Sequence, residues 1–126
     1  MDGQEKTVLV VEDEVALRSA LHDKLIHENF AVLEAKNGEE GLEIALREHP
    51  HMILLDIIMP KMDGMTMLEK LREDKWGKYA KVIVLTNLTD SKKIMEAIKH
   101  GSFEYLVKSD WKLEDVMAKI RELLGE

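Results

Sequence analysis

The sequence predicts an α/β protein: an open, doubly wound (βα)5 three-layer sandwich, with helices on both faces of a parallel five-stranded sheet. Three observations predict it. Five short apolar runs alternate with stretches whose apolar residues recur at helical spacing. The central run, Met52-Ile53-Leu54-Leu55, has no polar alternation, which is the pattern of a strand buried on both faces. At 126 residues the chain is too short for an eight-stranded βα barrel, which needs about 250. Right-handed crossovers then leave an open sheet as the compact solution.

Thr7 to Val11 is the first β-branched run, and it stops at the acidic turn Glu12-Asp13-Glu14. Leu17, Leu21 and Leu25, with Ala20 beside them, mark the helix that follows. Phe30 to Ala35 reads as the second strand. Asn37, with Glu40 three residues on, reads as a cap opening a helix with Leu42, Ala45 and Leu46 on one face. Pro50 punctuates its exit. The third strand, from Met52, ends on Asp56, and Asp63-Gly64 leads into a helix from about Met65 to Glu73. Lys81 to Leu85 is the fourth strand, ending at Thr86-Asn87. Ile94, Ala97 and Ile98 mark the next helix, which Gly101 closes. Glu104 to Val107 is the fifth strand, and Leu113, Val116, Ile120 and Leu123 form the stripe of a last helix. The methionines, Met52, Met59, Met62, Met65 and Met67 among them, read as core filler.

One compact domain over residues 1–126 accounts for the whole chain, with 1–6 as a polar N-terminal extension. With 18 basic and 25 acidic residues the net charge is −7, which opposes a phosphate backbone and argues against direct nucleic-acid binding. The absence of cysteine excludes disulfides and thiolate metal sites and suits a reducing compartment. The five histidines are scattered without ligand spacing and read as surface residues. No apolar run approaches the roughly 20 residues needed to span a bilayer, nor does the N-terminus carry the apolar stretch of a secretory signal. The expectation is a cytoplasmic protein that does not enter membranes.

In open sheets of this kind, ligands bind beyond the carboxyl ends of the strands, where the strand order reverses. For five strands the common order is the flavodoxin-like 2-1-3-4-5, which puts that crevice between strands 1 and 3. Those strands end in Glu12-Asp13 and Asp56; strands 4 and 5 end in Thr86 and Lys108. Three carboxylates converging on one crevice call for a hard divalent cation, and the lack of His or Cys nearby favours Mg²⁺ over zinc or copper. Metal, ammonium and hydroxyl around a carboxylate match the needs of phosphoryl transfer, with Asp56 as the nucleophile that forms an aspartyl-phosphate. Each residue also has a plainer reading. Glu12 and Asp13 suit a helix N-terminus, Thr86 a strand end, Lys108 a solvated surface, Tyr105 an ordinary sheet position and Asp63-Gly64 a turn. Only Asp56, a carboxylate closing a central strand, resists one.

Taken in order, Val8-Leu-Val-Val-Glu-Asp-Glu14, Leu55-Asp-Ile-Ile-Met-Pro-Lys-Met-Asp-Gly64, Leu85-Thr86 and Gly101 followed by Tyr105-Leu-Val-Lys108 resemble the receiver domains of two-component response regulators, including stand-alone chemotaxis regulators. The family shares the 2-1-3-4-5 order, so the expected topology rests in part on the resemblance. It implies that Asp56 takes a phosphoryl group from the phosphohistidine of a sensor kinase or phosphotransfer protein. It implies that Asp13, Asp56 and the carbonyl of Ile58 ligate Mg²⁺, with Glu12 acting through a metal-bound water. Lys108 and Thr86 would hold phosphoryl oxygens. Tyr105 would turn inward in step with Thr86, moving the face made by the fourth helix, fifth strand and last helix toward a protein partner. Such a domain catalyses only its own phosphorylation and dephosphorylation and is not otherwise an enzyme.

The sequence departs from the family after Lys108, where Ser109 replaces the usual proline of a cis peptide and the loop around Asp110-Trp111 is one residue longer. A non-proline cis bond costs about 2.5 to 4 kcal/mol, so either the loop is trans and differently shaped or the fold holds a strained bond. Asn87 stands where a small residue is usual. Ile58 and Leu88, both apolar, flank the expected path of hydrolytic water, which predicts a long-lived phosphorylated form. Lys92, Lys93, Lys99, Tyr105 and Trp111 place basic and aromatic groups near the switch face. The expectation is that no output domain follows the last helix and that the readout is protein contact by a monomer or weak dimer. The alternative is a phosphorylation-independent pseudo-receiver module. A haloacid-dehalogenase-type phosphatase needs a second Asp two places after the first, where Ile58 stands, and a nucleotide-binding P-loop lacks its Gly-rich Lys-Ser/Thr loop.

Overall fold

The structure is a computed structural model that describes residues 5–56, 59, 61–86, 104–107 and 112–125. Five parallel strands, β1(Thr7–Val11), β2(Ala31–Ala35), β3(Met52–Asp56), β4(Val82–Thr86) and β5(Glu104–Val107), form one sheet in the order β2-β1-β3-β4-β5. The described helices are α1(Val15–His27), α2(Gly38–Glu48), α3(Gly64–Arg72) and α4(Leu113–Leu124), with a 3₁₀ turn over Gly77–Tyr79. The doubly wound architecture and the strand order agree with the sequence expectation. The stretch around Ile94–Ile98 that reads as a helix lies outside the described residues, as does Gly101.

All five residues of β3 are buried, because side chains that alternate across a central parallel strand meet a helix layer on either face. Leu9, Val11, Ile53, Leu55, Val82 and Val84 point to one side and pack on Ala45 of α2 and on Met65, Met67, Leu68 and Leu71 of α3. Val8, Val10, Met52, Leu54, Ile83 and Leu85 point to the other side, against Leu21 and Leu25 of α1 and Val116, Met117 and Ile120 of α4. Met52, Met59, Met65 and Met67 are buried in these two cores, as core filler should be. Among the described residues no helix is long and apolar enough to cross a membrane.

The helix ends follow local chemistry. Asn37 caps α2 by accepting from the Glu40 amide at 2.8 Å, while the Glu40 carboxylate accepts from the Lys36 amide at 3.1 Å. That return bond falls one residue before the cap, a variation on the expected capping box. Asp63 caps α3 through the Thr66 amide at 2.8 Å. Between α2 and α3 the backbones nearly touch. The Gly38 amide donates to the Met62 carbonyl at 2.9 Å, and a Cβ on Gly38 would lie 2.2 Å from that same oxygen. Glycine is the residue that permits this approach.

Candidate functional site

The register of the sheet assembles the site. Val11 pairs with Leu55, so the next residues along each strand, Glu12 and Asp56, emerge side by side at the carboxyl edge. Asp56 pairs in turn with Leu85, which puts Thr86 one step beyond it on the other side. From Val8 in β1 and Met52 in β3 no polar residue appears until the last apolar position is passed, so the same patterning that buries the strands delivers their carboxylates to the rim.

There the side chains of Glu12, Asp13 and Asp56 converge, with one carboxylate oxygen of each lying within 4.8 Å of the others. Glu12 is 1% exposed and Asp56 5%, whereas Asp13 faces solvent. Two buried carboxylates and an open third form a graded acidic pocket. One oxygen of Glu12 accepts from the Glu14 amide at 3.0 Å, and Arg18 of α1 donates to the Glu12 carbonyl at 2.8 Å and to Glu34 at 3.2 Å. Arg18 thus pins the peptide that carries the acidic pair without meeting their carboxylates in these bonds. The sequence reading missed this role, because an arginine next to Leu17 on an amphipathic helix gives no sign of which loop it reaches. α1 begins at Val15 with Glu14 as its N-cap, which makes no side-chain cap bond, and no acidic residue lies in its first turn.

An all-oxygen set of this charge fits a hard divalent cation. One oxygen from each of the three lies within 4.8 Å of the others, close enough for the trio to face a single ion directly or through water. Within the described residues no histidine or cysteine joins the cluster, which disfavours the softer metals.

The loop beyond Asp56 is held at its far end. Lys61 adopts a left-handed conformation (φ 63°), a region that costs a non-glycine residue about 1 to 2 kcal/mol, and Met62 is tied to Gly38 as described above. Of the other residues expected at the site, Ile58 and Lys108 lie outside the described residues, as do Asn87, Leu88 and the Ser109 to Trp111 loop. Thr86 and Tyr105 are described by their strand backbones alone, Thr86 as the last residue of β4 paired with Val107, and Tyr105 paired with Val84.

Comparison with known proteins gives this geometry its class. Residues 8–121 match the family model of the response regulator receiver domain, and the chain belongs to that family. A probable transcriptional regulator, ycf27 of Porphyridium aerugineum, is 34% identical over 96% of this chain and 49% of its own length. This chain therefore spans about half the length of the curated relatives it matches first. Among solved structures, a CheY-like receiver domain protein of Methanospirillum hungatei superposes with a TM-score of 0.90 at 27% identity, covering 97% of this chain and 95% of that one. The CheX-CheY-BeF3-Mg complex of Borrelia burgdorferi does so with a TM-score of 0.86 at 27% identity, covering 96% and 90%.

Proposed function

We propose that this receiver domain is a magnesium-dependent phosphoacceptor, with Asp56 taking the phosphoryl group of a phosphohistidine on a sensor kinase or a phosphotransfer protein. The observation that carries this reading is the carboxylate trio at the carboxyl edge of β1 and β3. In the transfer a carboxylate oxygen of Asp56 attacks phosphorus in line; the new O–P bond forms as the P–N bond breaks, and the electron pair leaves with the imidazole. Bound Mg²⁺ would supply charge neutralisation to the equatorial phosphoryl oxygens.

The chain's own groups do the rest. Asp13 and Asp56, with the Ile58 carbonyl, would hold the ion directly and Glu12 through water, while Lys108 and Thr86 would hold phosphoryl oxygens. Support for the ion comes from the fit of the acidic trio and from the magnesium and beryllofluoride named for the Borrelia complex. The phosphorylated state would be read by a protein partner at the face that includes β5 and α4, with Thr86 and Tyr105 as the switch. The domain would act in the cytoplasm as a signalling acceptor rather than a turnover enzyme. Its net charge of −7 disfavours a nucleic-acid contact by the receiver itself.

Intact mass after incubation with acetyl phosphate and Mg²⁺ tests the reading. A single phosphoryl adduct is expected, lost in Asp56→Asn and on chelation. A folded protein that gains no adduct and does not bind beryllofluoride would instead be a phosphate-independent interaction module.

A further inference from the structure

At the opposite end of the sheet, beyond the amino ends of the strands, lies a cleft of about 260 Å³ lined by Lys6, His49, His51, Trp76, Tyr79 and Lys81 with Pro50, Ala80 and Leu124. Its composition runs against the rest of the molecule. The protein carries a net charge of −7, yet among the described residues no carboxylate lines this cleft. Two acidic side chains beside it are turned to other work: Asp74 accepts from the Gly77 amide at 2.9 Å, and Glu48 pairs with Arg47 at 3.0 Å.

The walls are fixed in place. His49 ends α2 in a left-handed conformation (φ 48°, ψ 60°) where glycine is the usual choice, and its ring stacks on Trp76 at 4.3 Å with an interplanar angle of 8°. The stack keeps an aromatic surface at the mouth. The 3₁₀ turn beside it is clamped by Arg72, which donates to the carbonyls of Gly77 at 2.6 Å and Ala80 at 2.8 Å. Burial pushes the Arg72 guanidinium below its ordinary pKa. Tyr79, 73% exposed, stands at the rim with Lys78 over its ring at 5.8 Å.

Lys6 and Lys81, the latter also donating to the Leu123 carbonyl at 2.7 Å, line the cleft with the His49–Trp76 stack and Tyr79, and in a protein that is otherwise acidic this makes a recognition surface for negative charge. We propose that this cleft is a docking site for an acidic segment of a partner protein, used independently of the phosphoacceptor end. The charge of the remaining surface repels an extended polyanion such as nucleic acid, and the cleft volume suits one or two side chains. A short run of Asp or Glu, locally extended, matches both limits.

The test is amide chemical-shift perturbation of the full chain by an end-capped hexaglutamate peptide, with an end-capped hexalysine control, at two salt concentrations. Shifts confined to residues 49–51 and 76–81 are expected, weakened by salt, absent with hexalysine, and about tenfold weaker in affinity for a Lys78→Glu, Tyr79→Ala double variant. Both substituted side chains are exposed, and the variant's unperturbed spectrum elsewhere verifies that it folds. Three outcomes would overturn the proposal: no shifts, equal affinity in the double variant, or concentration-dependent shifts at these residues without peptide, which would mark the cleft as a contact between copies of the chain.

Discussion

Asp13 is the exposed member of the acidic trio, so its removal separates metal binding from folding. Mg²⁺ that binds the native state alone stabilises it by about 2.7 kcal/mol at a hundredfold excess over Kd, and a thermal melt reads this directly. Asp13→Asn leaves the buried pair in place and is expected to abolish most of the Mg²⁺-dependent rise in Tm while leaving the metal-free Tm nearly unchanged. An undiminished rise would remove Asp13 from the ligand set. Gly38 poses a steric question instead. A methyl at this position meets the Met62 carbonyl at 2.2 Å, so Gly38→Ala must push the loop beyond Asp56 away from α2. A loss of about 1 to 3 kcal/mol in urea unfolding is expected, together with slower phosphoryl uptake. Equal stability would mean that the loop moves freely.

Between elements, the end of α1 is tied to α4 by Glu28 and Arg121, whose guanidinium also lies over the Phe30 ring at 5.2 Å. The hydrogen bond from Arg121 holds the Glu28 carboxyl below its ordinary value of 4.5. A carboxylate whose folded pKa is depressed contributes stability that is present above the unfolded pKa and is lost as pH falls through the folded one. Glu28→Gln is therefore expected to cost stability at neutral pH and to flatten the acid limb of the Tm profile below about pH 4.5, where the wild-type contribution disappears anyway. Parallel curves for variant and wild type across that limb would show the pair to be energetically silent, as many surface ion pairs are. Lys24, which reaches both Glu28 at 3.6 Å and Glu114 at 3.7 Å, makes a network of the same contact.

At the scale of the molecule, β3 carries both cores at once. Leu54 is fully buried on the α1–α4 side and Leu55 on the α2–α3 side, each beside strands that are themselves buried. Leu54→Ala and Leu55→Ala are each expected to cost about 2 to 5 kcal/mol in denaturant unfolding, since neither helix layer can close over the cavity. A cost confined to one of the two would mean that one layer is loosely packed.

The sequence by itself determined the strands, the helices that are described and the destination of the acidic residues. Apolar runs without alternation have one stable use, a sheet covered on both sides, and the first polar residue after each run must then emerge at the rim. That logic brings Glu12, Asp13 and Asp56 to the rim, and the strand order, expected in part from the family resemblance, makes it a single crevice. Boundaries shifted by a residue, as where β4 runs from Val82 to Thr86 instead of starting at Lys81, because strand ends depend on which neighbour supplies the hydrogen bonds. Contacts between residues distant in sequence were decided by tertiary structure alone. Arg18 on the Glu12 carbonyl, Gly38 against Met62 and His49 on Trp76 leave no periodic trace, since each pairs one ordinary side chain or backbone group with another across a loop. Periodicity reports which face of an element is dry; it does not report which neighbour that face will meet.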